Sequence, residues 1–292
     1  MDFRLLKLKF IQGKCYFSYL LQNKCYRHFT TYTKMKRKYK KEVIEALERT
    51  KKIKNGNLTE DDIRHLPQAV QQYIRYTGAL GKEKVTNFRV EFEGRIRSKP
   101  TDSWMPLRSV QYNFVDEPTR IFYITARKMG IPAGGLHLYK DEKAIMKIKI
   151  AGLFTVVDAS GKEMDQGETV TVFNDMCFMA PATLIDNNIR WETIDSLTVR
   201  AKYTNGSITI TATLYFNDKG ELVNFISNDR FETTDGKVYK NYPWITPVTG
   251  YRDINGYRLA SGARAIYRHS DEDFCYGEFN TASVDYNCRE LK

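Results

Sequence analysis

From Phe88 almost to the end of the chain, apolar and polar side chains alternate with a period of two. Phe88, Val90, Phe92 and Ile96 alternate with Arg89, Glu91, Glu93, Arg95 and Arg97, as in a strand with one buried and one solvated face. The pattern recurs at Val110, Tyr112 and Phe114, at Met146, Ile148 and Ile150, at Leu197, Val199, Ala201 and Tyr203, and from Ile208 to Phe216. Turn residues separate these runs: Asp116-Glu117-Pro118, Asp141-Glu142, Ser160-Gly161, Asn205-Gly206, Asp218-Lys219-Gly220, Asp235-Gly236 and Asn255-Gly256. Asn-Gly or Asp-Gly between alternating runs predicts a hairpin. The spacing predicts about ten or eleven antiparallel strands in meander order. One-sided strands must bury their apolar face, by closing, by forming two layers or by holding a helix. The expected fold is therefore mainly β: a large, curved antiparallel meander sheet, a half-barrel, with N-terminal helices and a short helix packed against it.

Before this region the pattern is helical and basic. Residues 1–58 carry 16 Lys and Arg against 4 Asp and Glu, whereas residues 59–292 carry 30 against 31. The excess charge thus sits in an N-terminal arm on a neutral body, so no specific nucleic-acid partner is expected. Lys34, Lys36, Arg37, Lys38, Lys40 and Lys41 make a run suited to an anionic membrane surface, or to the solvated start of a helix. The expected organisation is a basic, partly disordered arm and helix over 1–58, short helices over 59–82, and a single antiparallel β domain over 83–288. Val43, Ile44 and Leu47 are expected on one helical face. Thr59 with Asp62 reads as a helix start, and Pro67 opens a further helix over Gln68–Tyr76. The apolar run Cys15–Leu21 is too short to cross a bilayer, which takes roughly 20 residues, and no signal-peptide pattern is present. Whether residues 1–34 belong to the mature protein stays open. Five cysteines without CxxC spacing argue against a disulfide framework or a zinc site, and fit reduced thiols in a cytosolic setting. The expected location is cytoplasmic, peripheral at the inner face of the membrane.

Within the β region one segment reads as helix, Glu168–Met179, followed by Pro181 and a short Ala182–Ile185 segment. Such a helix would plug the mouth or the concave face of the curved sheet and leave an apolar space beneath it. Candidate walls for that space are Phe173, Met176, Trp191, Trp244 and Tyr251.

Catalytic signals are thin. GxGxxG, P-loop, GxSxG and HExxH patterns are all missing, and the four histidines lack metal-ligand spacing. No metal or cofactor is expected. Asp158, Glu163, Asp165 and Glu168 collect around one predicted turn, read as a solvated hairpin plus a helix N-terminus, where acids are favourable. An acid–base reading would use Asp165, Glu168, Glu192 and Arg230, with Arg230 paired to one of the acids inside the sheet.

Several segments together resemble a known family: LPQAVQQYIRYTGALGK, WMPLRSVQYNF, IKIAGLFTVVDASGKEMDQGE, APATLI, IRWETID and PWITPVTGYRDINGYRLASG. The chain is similar over Leu66–Tyr286 to a large bacterial family of β-rich proteins of unknown function. The resemblance implies a curved antiparallel sheet broadly like the lipoprotein-carrier folds of the envelope, and implies no reaction. Its members commonly begin with a spanning helix, then a basic stretch and LPxxV; here the basic stretch is KMKRKYKK, without the spanning helix. An anchor lost upstream would place the domain on the cytoplasmic side.

Three functions follow as expectations. The first is a non-enzymatic module binding a lipid or another apolar small molecule. The second is a hydrolase or isomerase built on the carboxylate and arginine cluster. The third is a protein that docks to the membrane surface through its basic run.

Overall fold

The computed structural model describes residues 34–128 and 130–292. The predicted features of residues 1–33 lie outside them. Helix α1 spans residues 34–50. Short helices α2 (Glu60–Ile63) and α3 (Gln68–Tyr76) follow. Thr59 caps α2 in a capping box, its backbone N–H donating to Asp62 Oδ2 at 2.8 Å.

The first half of the sheet is a meander of β1 (Asn87–Ile96), β2 (Met105–Phe114), β3 (Thr119–Lys128), β4 (Ile131–Lys140), β5 (Lys143–Ile150) and β6 (Phe154–Ser160). Helix α4 (Lys162–Met179) and a 3-10 turn, Pro181–Ile185, come next. The second half holds β7 (Ile189–Thr193), β8 (Thr198–Asn205), β9 (Ile208–Phe216), β10 (Leu222–Ser227) and the short β11 (Phe231–Glu232), β12 (Lys240–Asn241) and β13 (Trp244–Ile245). It ends with β14 (Val248–Ile254), β15 (Tyr257–Arg268) and β16 (Asp273–Tyr286). Fourteen strands form one sheet in the order β6-β5-β4-β3-β2-β1-β16-β15-β13-β10-β9-β8-β7, with β14 on β15. Every pairing is antiparallel, as the turn residues predict. At Asn255-Gly256 both residues have positive φ, 52° and 75°, the backbone of a tight two-residue hairpin.

Two meanders are therefore joined at the centre, where β1 pairs with β16, and their outer strands β6 and β7 are free edges. The chain passes from one edge to the other through α4. A helix tethered to both edges has to lie across the concave face, and α4 touches β5 and β6 on one wing and β9, β10 and β15 on the other. The wings curl towards each other without closing. Side chains bridge the gap: Asn205 Nδ2 donates to the Tyr139 hydroxyl at 2.8 Å, and the Ser207 hydroxyl donates to Glu142 at 2.6 Å.

The seam of the two halves has a close approach at Gly94, opposite Phe279, where an added Cβ would collide with the carbonyl oxygen of Glu278. Gly94→Ala is expected to cost at least about 1–3 kcal/mol, read as a lower urea midpoint. An unchanged midpoint would show that the strands part there freely.

Three local expectations need correction. Ser160-Gly161 reverses the chain into a helix and not into a hairpin. Gly161 has φ 103° and ψ −179°, a conformation nearly confined to glycine, and α4 starts at Lys162, well before the expected Glu168. The acids Asp165 and Glu168 are therefore buried side chains of a central helix and not solvated turn residues. On α1, Met35, Tyr39, Val43, Ala46 and Leu47 are buried while Ile44 is exposed, so the apolar stripe is rotated from the expected one.

The third concerns the polar face of β2, expected to be solvated: Ser109, Gln111 and Asn113 are buried. Tyr112, Phe114, Ile121, Tyr123, Leu136 and Leu138 point outwards, beneath α1. Their neighbours point inwards. Cross-strand register aligns Val90, Gln111, Phe122, His137 and Met146 in one row on the concave face. At the end of β2, Val110, Tyr112 and Phe114 thus face α1, while Gln111 and Asn113 face the interior. The six basic residues of the 34–41 run are all solvent-exposed on α1. Among the described residues no helix is long and apolar enough to cross a membrane.

Candidate functional site

Between α4 and the concave face lie two adjoining cavities of about 220 and 360 Å³. The first is walled by Phe92, Phe122, Phe178, Met179, Trp244 and Phe279, among others. The second runs towards the β3–β4 and β5–β6 turns, past Ile131, Ala133, Ile150 and Val156. Ile131 and Val156 are half exposed, which marks the opening. Ile96, Ile124, Met146, Ile148 and Tyr276 line both chambers, and so do His137, Glu168 and Arg230. The charged groups therefore sit at the junction of two apolar spaces.

Strand register and helix periodicity bring these groups together. Arg120 projects inwards from β3, opposite Asn113 of β2 and Tyr139 of β4. Its guanidinium donates to Asp175 Oδ2 at 2.7 Å, to Glu168 Oε2 at 3.3 Å and to Gln111 Oε1 at 3.1 Å. Asp175 Oδ2 also accepts from Gln111 at 2.9 Å and Asn113 at 3.1 Å. Glu168 and Asp175, seven residues apart on α4, fall on one helical face. The Glu168 side chain is only 2% exposed. Its Oε1 accepts from the Thr171 hydroxyl at 3.1 Å, and the Arg230 Nε donates to that same hydroxyl at 3.2 Å.

Arg230 enters from the segment between β10 and β11. It lies over the Trp244 ring, 4.6 Å from its centroid, a cation–π arrangement. Its Nη1 donates to the Tyr267 hydroxyl, and its Nη2 is 3.8 Å from Glu168 Oε1. His137 Nε2 stands 3.2 Å from Glu168 Oε1 but is out of line for a hydrogen bond and has no partner.

Burial, foremost, pulls the His137 imidazole down to about 4; the Glu168 carboxylate opposes this, and the guanidiniums of Arg120 and Arg230 add to it. The imidazole is neutral at pH 7. Burial also works to raise Glu168, but the His137 imidazole, then the guanidiniums of Arg120 and Arg230 and the Thr171 hydroxyl, outweigh it, and its carboxyl ends below the usual range. Burial works to lower Arg230, yet Tyr267, Tyr276 and Glu168 hold it firmly protonated. The cluster thus holds two fixed positive charges and two carboxylates.

Of the four acid–base candidates, the structure joins Glu168 and Arg230. Asp165 points elsewhere: it accepts from Lys143 at 2.9 Å and from the Ala144 backbone at 2.7 Å, fixing α4 to β5. Glu192 is exposed on edge strand β7, paired with Arg200 at 3.0 Å. Of the five candidate wall residues, Trp244 lines the cavity. Phe173 is buried against Tyr203 and Trp191, Met176 belongs to the core beside it, and Tyr251 packs against Tyr73 and Tyr76 of α3. These rings and Met176 fill space between α4, α3 and the second wing, where the packing is solid. Sequence reasoning missed Arg120, His137 and Asp175. One signal could have found the first two. Ile121-Phe122-Tyr123-Ile124 is apolar on both parities, which marks a strand covered on both faces.

The model of a family of unknown function (DUF6544) matches residues 56–279. The chain belongs to that family. The match takes in α2, α3 and most of the sheet, with every charged residue of the junction. No curated protein matches the chain. Among solved structures, a crystallised domain from Vibrio parahaemolyticus, described as a "putative outer membrane lipoprotein-sorting protein domain", is similar at 10% identity and a TM-score of 0.35. The similarity covers 68% of this chain and 85% of that one. Among the described residues, no group of three or more His, Cys, Asp or Glu side chains is placed to hold a metal ion.

Proposed function

We propose that this DUF6544 member is a binding module for an amphipathic small molecule or lipid, whose apolar part occupies the two chambers beneath α4. One observation carries this reading: contiguous apolar cavities of about 220 and 360 Å³ open through a half-exposed apolar rim and meet at a polar junction. Ligand sites characteristically combine mostly apolar walls with a few placed polar groups. Interiors are otherwise packed to crystal-like density, so space of this extent beside a solid second wing is a local feature and not general looseness.

The test is binding of a neutral apolar fluorophore such as N-phenyl-1-naphthylamine, with native mass spectrometry of the freshly purified chain. One probe per chain is expected, displaced by long-chain amphiphiles. Gly135 floors both chambers, where an added Cβ would come 2.9 Å from Ile124 and 3.2 Å from Ile148. Gly135→Leu should fill the space and weaken binding about tenfold or more, on the scale of a few buried methylene groups. Unchanged probe affinity in a Gly135→Leu chain that keeps its fold would defeat the reading.

A second reading, a hydrolase or isomerase, is favoured by one observation, the meeting of Glu168 and Arg230 inside a cavity. It requires Glu168 to exchange protons, whereas its carboxyl is held ionised and supplied with donors. Turnover of an ester or epoxide substrate panel that disappears in Glu168→Gln would support catalysis over simple binding.

A further inference from the structure

Resting on the binding reading above, we infer that the ligand carries an acidic oxygen head group, a carboxylate or a phosphate, received at the chamber junction by Arg230 and His137. The argument is a balance of donors and acceptors. Both carboxylates of the cluster are supplied: Glu168 by Arg120 and by the Thr171 hydroxyl, whose one proton it shares with the Gly167 carbonyl, and Asp175 by Arg120, Gln111 and Asn113. The Arg120 guanidinium is spent on Asp175, Glu168 and Gln111. The donors at the junction are not all spent. Arg230 uses Nε on Thr171 and Nη1 on Tyr267, while its Nη2 has only the 3.8 Å approach to Glu168. His137 Nε2 has no hydrogen-bond partner. Both residues line both chambers. An apolar ligand lying in either chamber would thus present its end to a guanidinium edge and an imidazole.

The unspent Arg230 N–H asks for an acceptor, as does His137 Nε2 when it carries a proton, and a guanidinium favours an anionic oxygen because charge-assisted hydrogen bonds are the stronger ones. A cationic head would find both carboxylates already occupied and a guanidinium facing it. The two arginines and two carboxylates cancel, so an incoming anion leaves one uncompensated negative charge. His137 can offset that charge by taking up a proton. Trp244 supports the arrangement from behind, holding the Arg230 guanidinium in place by its face.

The experiment compares hexadecanoic acid, its methyl ester, hexadecyl phosphate and hexadecyltrimethylammonium as displacers of the neutral fluorophore, below their critical micelle concentrations. At least one of the two acids is expected to displace at a concentration about tenfold or more below that of the ester, the scale of a charge-assisted hydrogen bond. Whichever acid does so identifies the head as carboxylate or phosphate. Arg230→Met is expected to remove that advantage, bringing the acids to within about twofold of the ester measured on the same variant. Because Arg230 also holds Thr171 and Tyr267, the wild-type series decides the matter should that variant fail to fold. An ester that binds as tightly as both acids, or an ammonium that binds more tightly, would overturn the head-group assignment and leave the binding reading standing. Failure of every amphiphile to displace the probe would instead overturn the binding reading itself.

Discussion

Arg120→Ala is expected to destabilise the protein by about 3–5 kcal/mol, the usual cost of removing one partner from a buried ion cluster. The physical reason is the company it leaves. Asp175 and Glu168 would lose a guanidinium that sits 2.7 and 3.3 Å away, and Gln111 would lose the donor to its carbonyl. None of these groups can turn to water from beneath the sheet, and an unpaired buried charge costs more than the pair contributes. Urea unfolding would show a lower midpoint at an unchanged slope. Adding Asp175→Ala should recover part of the loss, because Arg230 and Glu168 then remain as a balanced pair. The two changes should thus be strongly non-additive. A loss below about 1 kcal/mol, in the range of a surface pair, would show that the cluster is wetter than its geometry implies.

A second large effect follows from His137. Its imidazole titrates near 4 in the folded chain, against about 6.5 when unfolded. Between these values the unfolded chain binds the extra proton, so stability rises with pH through this window. The contribution is complete above about pH 6.5 and is lost as pH falls towards 4, reaching about 3 kcal/mol at the low end. Glu168, with its carboxyl depressed, acts in the same direction at still lower pH, as protonation cancels its attraction to Arg120 and Arg230. Chemical unfolding from pH 7.5 to 4 should therefore show a steep acid limb. In His137→Asn, which cannot take up the proton, the limb between 6.5 and 4 should flatten by roughly this amount. A slope unaltered by the substitution would assign the acid sensitivity elsewhere.

Much of the frame could be read locally. The alternation at Phe88–Ile96 and Ile208–Phe216 and the Asn-Gly turns fix strands and hairpins because both depend on neighbouring residues alone. The helix over 168–179 was legible, but its first six residues were not. Acids and a glycine after a strand look alike whether the chain turns into a hairpin or starts a helix. Which face of β2 lines the interior was not legible, for a related reason. Period two assigns Tyr112 and Phe114 to one side and Gln111 and Asn113 to the other, yet it cannot say which side is the interior when α1 covers the outside.

By itself, then, the sequence settled the fold class: a mainly β chain of antiparallel hairpins, with a basic helical start and a helix set among the strands. Those features follow from short-range sterics and periodicity. Only the tertiary structure decided that α4 ties edge β6 to edge β7, that the sheet curls around it with space left on one wing, and that positions 120, 137, 168, 175 and 230 converge there. Their meeting depends on the register of β3 against β4, on the crossing helix α4 and on the segment after β10, and no local pattern encodes that sum.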